Sequence, residues 1–252
     1  MNEAVPNDGA EDRRSATGVE GDVSAHGMGA GVGVGSGAGP DPAVDPLSGD
    51  PRVGTFLGDG YPTIARFHAL LREQGVLRGL IGPREVDRLW ERHLLNSASL
   101  APFLPATGTV LDVGSGAGLP GIVLAALLPD VELVLLEPME RRVTWLTEVT
   151  HELGLTNATV RRGRAEELHG RMSADAVTAR AVAPMDRLAR WTLPLLRPGG
   201  SLVVLKGRQA AAELDAARHV LRKLRASSSE ILTAPTLPGL DPATVVRVTK
   251  DA

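Results

Sequence analysis

The chain reads as an α/β protein: a mostly parallel seven-stranded sheet, a C-terminal antiparallel hairpin and an N-terminal helical extension. Three observations predict this. From Thr109 onward, short β-branched runs alternate with helical patterns, the order that builds a parallel sheet. The stretch TVLDVGSGAGLPG, Thr109 to Gly121, reads as strand, glycine loop and helix start. The last two strand-like runs are joined only by a short Pro/Gly segment, Leu237 to Pro242, which suits a hairpin and leaves no room for a crossover helix.

Taken in order, Met1 to about Asp50 is rich in Gly, Ala, Asp and Pro and has no aromatic residue. Such a stretch buries too little apolar surface to offset chain entropy, so residues 1–55 are expected to be a disordered tail. Its run Gly27 to Gly39, GMGAGVGVGSGAG, imitates a phosphate loop, but no strand precedes it and Pro40 and Pro42 follow. Residues 56–104 are expected to form a helical cap. Tyr61 to Gln74 places Ile64, Phe67, His68 and Leu71 on one side of a helix that Gly75 ends. After the Gly82-Pro83 break, Arg84 to Leu100 reads as a longer helix with Val86, Leu89, Trp90 and Leu94 inward.

Residues 105–252 are expected to be the sheet domain. Its strands are read at 109–113, 132–137, 158–161, 174–180, 200–206, 229–235 and 243–249. Its helices are read at 119–128, 139–153, 185–196 and 209–225, and Pro198-Gly199-Gly200 reads as a turn before the fifth strand.

Composition narrows the function classes. The 252 residues contain no cysteine, which excludes disulfides and thiolate metal sites, and no metal site is expected. No run is long and apolar enough to cross a membrane, and no signal peptide is evident, so a cytoplasmic protein is expected. Nine acids against two arginines give residues 1–50 a charge of −7, while residues 51–252 carry +4, which together make the overall −3. A mildly basic body permits a nucleic-acid partner.

The glycine loop carries the chemistry. Gly114, Gly116 and Gly118 let a backbone approach a ligand closely, and the following helix offers free N–H groups. Gly116, Gly118 and Gly121 also fit the dinucleotide spacing G-x-G-x-x-G. That register would start beyond the strand end, whereas Asp112 precedes the loop as D-x-G-x-G, and a carboxylate there suits a cationic ligand better than a pyrophosphate. Glu137 ends the second strand, where an acid accepts ribose hydroxyls. S-adenosylmethionine is therefore the expected ligand, in preference to NAD.

Further motifs stand outside the loop: Glu91-Arg92-His93-Leu94-Leu95-Asn96-Ser97, Glu137 with Arg141-Arg142, Arg164-Ala165-Glu166-Glu167, Ala179-Arg180-Ala181 and Leu205-Lys206-Gly207. Together with LDVGSGAGLPGI from Leu111, they resemble the RsmG (GidB) family of bacterial 16S ribosomal RNA guanine-N7 methyltransferases, over about residues 60–250. Asn96 stands where that family usually has Asp, and Ala179 where Ser is usual. The resemblance implies a Rossmann-like class I methyltransferase fold and methyl transfer from S-adenosylmethionine to N7 of guanine 527 in 16S ribosomal RNA. It also implies cofactor contacts at Gly114, Leu119, Ala165, Glu166 and Arg180. The substrate is expected within a small-subunit particle and the enzyme as a monomer.

Guanine N7 has a free lone pair and no proton, so its methylation needs no general base. Positioning is the task, with Arg92, His93 and Lys206 as candidates. The alternatives are a small-molecule methyltransferase, which would share only the loop, and a non-catalytic binding module, which would be expected to lose it.

Overall fold

Seven strands form one sheet in the order β3-β2-β1-β4-β5-β7-β6. They are β1 (Gly108–Val113), β2 (Val131–Glu137), β3 (Ala158–Arg162), β4 (Ala174–Arg180), β5 (Leu196–Lys206), β6 (Ala226–Ala234) and β7 (Ala243–Lys250). The first five run parallel, and β7 lies antiparallel between β5 and β6. The computed structural model describes residues 45–180 and 182–252. The order reverses between β1 and β4, which opens a crevice at the carboxyl ends of those strands.

The sheet interior follows from composition. In β2, VELVLLE, all positions but Glu132 are buried, as expected of a parallel strand covered on both faces. Four helices complete the crossovers and the last loop: α4 (Gly121–Leu127), α5 (Glu140–Glu152), α6 (Met185–Thr192) and α7 (Ala210–Lys223). β5 starts at Leu196, so the expected turn Pro198-Gly199-Gly200 lies inside it, where the register against β4 shifts between Ala174 and Ala176.

The cap is continuous with the sheet domain. It comprises α1 (Pro51–Leu57), α2 (Tyr61–Gln74) and the three-residue α3 (Asn96–Ala98). Ile64, Phe67, Leu70 and Leu71 of α2 share one apolar cluster with Ala117, Leu119, Ile122 and Trp145. The described residues accordingly form a single compact unit.

Two expectations need correction. The tail boundary at 55 falls inside α1, whose N-cap is Asp50 and whose Val53 and Leu57 are buried. The Gly27–Gly39 run and the rest of residues 1–44 lie outside the described residues. Arg84 to Leu100 is not one helix: a 3-10 segment, Pro83–Arg88, gives way to a π-helical turn, Trp90–Leu95, and then to α3. The break has a visible cause. Asp45, 1% exposed, accepts the Trp90 N–H at 2.8 Å, taking the donor that would have continued the preceding helix. Asp45 also lies 3.5 Å from His68 Nε2, and His68 stacks on Trp90 with centroids 4.7 Å apart. Burial alone would raise the Asp45 pKa, but His68 and the Trp90 and Leu47 N–H groups outweigh it and hold it below the usual 3.8. The stability it contributes is present above that value and is lost as pH falls through the lower folded one.

Asp45 is thus a buried cap that sequence patterning assigned to the tail. Deleting residues 1–50 should lower the melting temperature relative to deleting only residues 1–44. Asp45→Ala should cost about 1–3 kcal/mol by stranding the Trp90 N–H. Equal melting curves for the two truncations would show that Asp45 caps nothing of consequence.

Candidate active site

The loop from Gly114 to Pro120 is tied down from several sides. Gly114 N and Ser115 N both donate to the Leu136 carbonyl, at 2.8 and 3.1 Å. Gly116 N donates to Glu137 Oε2 at 3.0 Å, and Trp145 Nε1 donates to the Ala117 carbonyl at 2.9 Å. Gly121 N, at the start of α4, donates to Asp112 Oδ2 at 3.1 Å. These bonds need a left-handed backbone at Gly114 (φ 74°) and Gly116 (φ 58°), which explains glycine at both. A Cβ on Gly116 would meet only the Gly114 carbonyl oxygen at 3.7 Å and Arg142 Nη1 at 4.0 Å, so that face of the loop is open. A Cβ on Gly114 would lie 2.6 Å from Val182 Cγ1.

Both acids singled out from sequence accept backbone N–H groups of the loop region. Asp112 does not face the crevice: it is 0% exposed and one oxygen is spent on Gly121. Its other oxygen, Oδ1, is buried without a hydrogen-bond partner. Burial pushes its pKa up to about 7, against the pull of Ser115, the Gly121 N–H and the Arg180 charge. Glu137 is 2% exposed and bonds two backbone N–H groups, Gly116 and Met139 at 2.9 Å, with Arg142 Nη1 3.8 Å away. It braces the loop from within the crevice wall.

The other expected cofactor residues lie around the same sheet edge. Leu119 is buried in the cluster shared with the cap, so only its backbone faces the loop side. Gly118 adopts φ 104° and donates its N–H to the Ser115 carbonyl at 2.7 Å. Ala165 is buried at the start of the 3-10 turn Ala165–Leu168 that follows β3, and Glu166 beside it is exposed.

Beyond Arg180, at the end of β4, a cavity of about 980 Å³ opens between the cap, β5 and the β6–β7 loop. Arg92, His93, Arg180 and Lys206 all line it. Arg180 donates to the Arg92 carbonyl at 3.2 Å and to His93 Nδ1 at 2.6 Å. An arginine has no acceptor, so His93 Nδ1 carries the lone pair and Nε2 carries the proton. That proton is donated to Glu85 Oε2 at 2.8 Å, while Glu85 Oε1 accepts from Arg92 at 3.1 Å. Burial, and then the Arg180 charge, hold the His93 pKa below its usual 6.5, although Glu85 acts in the opposite direction.

Lys206, a positioning candidate from sequence, has its charge paired within the protein. Its ammonium donates to the Ala183 carbonyl at 2.7 Å and to Glu213 Oε2 at 2.8 Å, with the side chain 10% exposed. Glu213 also accepts the Met185 N–H at 3.1 Å, so Lys206 and Glu213 together pin the β4–α6 connection at Ala183 and Met185.

Sequence reading missed Glu85, Glu213 and the loop contact of Trp145. Glu85 stands seven and eight residues before Arg92 and His93 across an irregular backbone, so helical spacing carried no signal for the pairing.

The sheet order and the glycine loop at its switch point define a class I methyltransferase fold. Two solved structures share it: a putative S-adenosylmethionine-dependent methyltransferase of Methanococcus maripaludis and a predicted O-methyltransferase of Agrobacterium tumefaciens. The first has a TM-score of 0.51 at 16% identity, over 63% of this chain and 86% of that one. The second has a TM-score of 0.50 at 21% identity, over 64% and 81%. Sequence relatives are more specific. The ribosomal RNA small subunit methyltransferase G of Beutenbergia cavernae is 53% identical over 192 residues, 76% of this chain and 91% of its own length. Its counterpart in Streptomyces coelicolor is 55% identical over 192 residues, 76% and 80%. The family model described as rRNA small subunit methyltransferase G (GidB) matches residues 61–236. The chain belongs to that family. It is an S-adenosylmethionine-dependent methyltransferase of small-subunit ribosomal RNA.

The buried Asp112 gives a pH test. An acid whose folded pKa is raised from 3.8 to about 7 contributes stability that is present below 3.8 and lost as pH rises to about 7. Asp112→Asn keeps an oxygen for the Gly121 N–H and removes the titration. Denaturation at pH 5 and pH 8 should therefore show the variant gaining on the wild type at the higher pH, by on the order of a few kcal/mol. A pH-independent difference between the two would assign the shift elsewhere.

Proposed function

We propose that the methyl acceptor is N7 of one guanine in 16S ribosomal RNA, guanine 527 by the resemblance described above. The enzyme is proposed to act as a cytoplasmic monomer on a small-subunit particle. Among the described residues, no helix is long and apolar enough to cross a membrane. The observation that carries the reading is the junction at Val182. This residue packs on Gly114 of the open glycine loop and also lines the cavity that Arg92, His93 and Arg180 border, so a cofactor on the loop meets a base in the cavity there.

The loop fits the cofactor. The open face at Gly116 leaves room for a ligand, and the Gly114–Gly118 backbone would hold its amino-acid end. Ala165 and Glu166 would border the adenine, whose exocyclic amine needs an acceptor. Glu137 keeps Gly116 in place and retains unused lone pairs toward the ribose. Arg180 has N–H groups beyond those given to Arg92 and His93, and these would pair with the methionine carboxylate or an RNA phosphate. S-adenosylmethionine supplies a methyl group on a sulfonium, which leaves as a neutral thioether.

Guanine N7 arrives with its lone pair free, so no side chain has to take a proton. His93 is held neutral with its Nδ1 already bonded, so it is unsuited to act as a base and well suited to orient Arg180. The domain division is proposed accordingly: residues 45–104 present RNA contacts and residues 105–252 hold the cofactor.

Incubation with labelled S-adenosylmethionine and small-subunit particles, followed by cleavage at N7-methylguanine, should place the label on one guanine. Label on another atom, or on small molecules only, sinks the proposal. Gly114→Val should abolish cofactor binding in calorimetry, because a β-branched side chain at φ 74° is strained and collides with Val182. Lys206→Ala should slow transfer while leaving the salt dependence of RNA binding almost unchanged, since its charge is spent inside the protein. A lost phosphate contact would instead lower the salt slope by about one.

A further inference from the structure

We propose that Glu85 is a positioning residue for methyl transfer, acting through His93 on Arg180; this rests on the function proposed above. Glu85 belongs to the 3-10 segment Pro83–Arg88, and its N–H is fixed to the Gly82 carbonyl at 3.0 Å. Its two oxygens are used separately. Oε1 takes Arg92 Nη1 at 3.1 Å and Oε2 takes His93 Nε2 at 2.8 Å. The imidazole then presents Nδ1 to Arg180 at 2.6 Å, and the Arg92 carbonyl takes a second Arg180 N–H at 3.2 Å. One carboxylate therefore bonds both residues that receive the guanidinium, and through Oε2 it orients the imidazole that Arg180 meets.

The backbone between these residues is irregular, changing from 3-10 to π-helical geometry around Leu89, and across it the carboxylate meets the imidazole at 2.8 Å. At the Arg92 carbonyl, Arg180 joins Asn96 Nδ2, which donates to the same oxygen at 3.2 Å.

The chain of contacts starts in the cap and ends beside the cofactor loop. Arg180 is the residue at the end of β4, and its charge acts on Asp112, whose Oδ2 holds α4 to the loop. Without Glu85, the imidazole loses the acceptor that keeps Nε2–H pointing away from Arg180. The ring is then free to turn, and Arg180 loses its fixed partner. Glu85 needs no contact with cofactor or RNA for this.

The test is a double-mutant cycle on the full-length enzyme, read by single-turnover methylation of small-subunit particles at saturating S-adenosylmethionine. Glu85→Ala should slow transfer by on the order of 10- to 100-fold. Glu85→Gln, which keeps an acceptor oxygen, should recover part of that. Because Glu85 acts through Arg180, the pair Glu85→Ala with Arg180→Ala should be no slower than Arg180→Ala alone. Multiplying losses, or a Glu85→Ala enzyme of full rate, would overturn the proposal.

A second readout is independent of activity and so separates failure of this inference from failure of the assigned reaction. In ¹⁵N-histidine-labelled protein, the wild-type His93 signals should show the fixed Nε2–H form, assigned by their loss in His93→Gln. Glu85→Ala should give signals averaged between the two tautomers. A fixed Nε2–H form in Glu85→Ala would show that Arg180 holds the ring unaided, and the proposal would fall.

Discussion

A carboxylate that never reaches solvent holds this enzyme's site together. Asp112, next to last in β1, is fully buried, and the first N–H of α4 is fastened to it through Gly121. A buried unpaired charge is costly, and the protein meets that cost in two ways. The carboxyl takes up a proton more readily, with a pKa near 7, and the Arg180 guanidinium is kept close enough to lower that pKa. Arg180 is itself largely buried, and burial lowers its pKa while Asp112 and Glu85 raise it. The cation that faces the reaction cavity is thus held between an acid of the sheet and an acid of the cap. Neither acid alone satisfies its geometry, because Asp112 has one oxygen on Gly121 and Glu85 acts through His93.

This arrangement accounts for the cap. The helices before β1 cover an apolar face, with Phe67, Leu71 and Trp90 packed against Leu119 and Trp145. They also deliver Glu85, Arg92 and His93 to the carboxyl end of β4. Asp45 takes the Trp90 N–H, and in the π turn that follows the Arg92 carbonyl accepts from Arg180. Asp45, the first of the described residues, therefore satisfies a backbone donor beside a site formed more than 40 residues later in sequence.

Much of this was legible in the sequence, and the illegible part has a common cause. Strand positions follow from β-branched runs with period two or full burial, and all seven are found within a few residues of the expected bounds. The glycine loop was legible because positive φ leaves few alternatives to glycine. Arg92, His93 and Arg180 were legible as chemistry-bearing residues in family-like motifs, and they do meet. What remained hidden were partners. Asp112 and Glu137 read as ligand contacts because their side chains sit at strand ends, but nothing in the sequence says that backbone N–H groups of the loop claim them. Lys206 read as a substrate-positioning candidate because its partner Glu213 is seven residues away on another element. Asp45 read as tail because its surroundings are Pro and Gly, and capping depends on one hydrogen bond that composition does not record.

Arginine at position 180 follows from the same geometry. The residue must donate to a carbonyl and to an imidazole nitrogen that lie in different directions, and still offer N–H groups to a ligand. A planar guanidinium with five donors does this in one orientation, whereas an ammonium is a point charge on a flexible stem. The donor set also fixes His93 as an acceptor, which removes it from acid–base work at neutral pH. That loss costs the reaction nothing, because guanine N7 brings no proton to be removed. A methyl acceptor bearing a proton would have needed the imidazole free. The use of the pocket histidine as an orienting group is therefore the electrostatic counterpart of a nucleophile that needs no base.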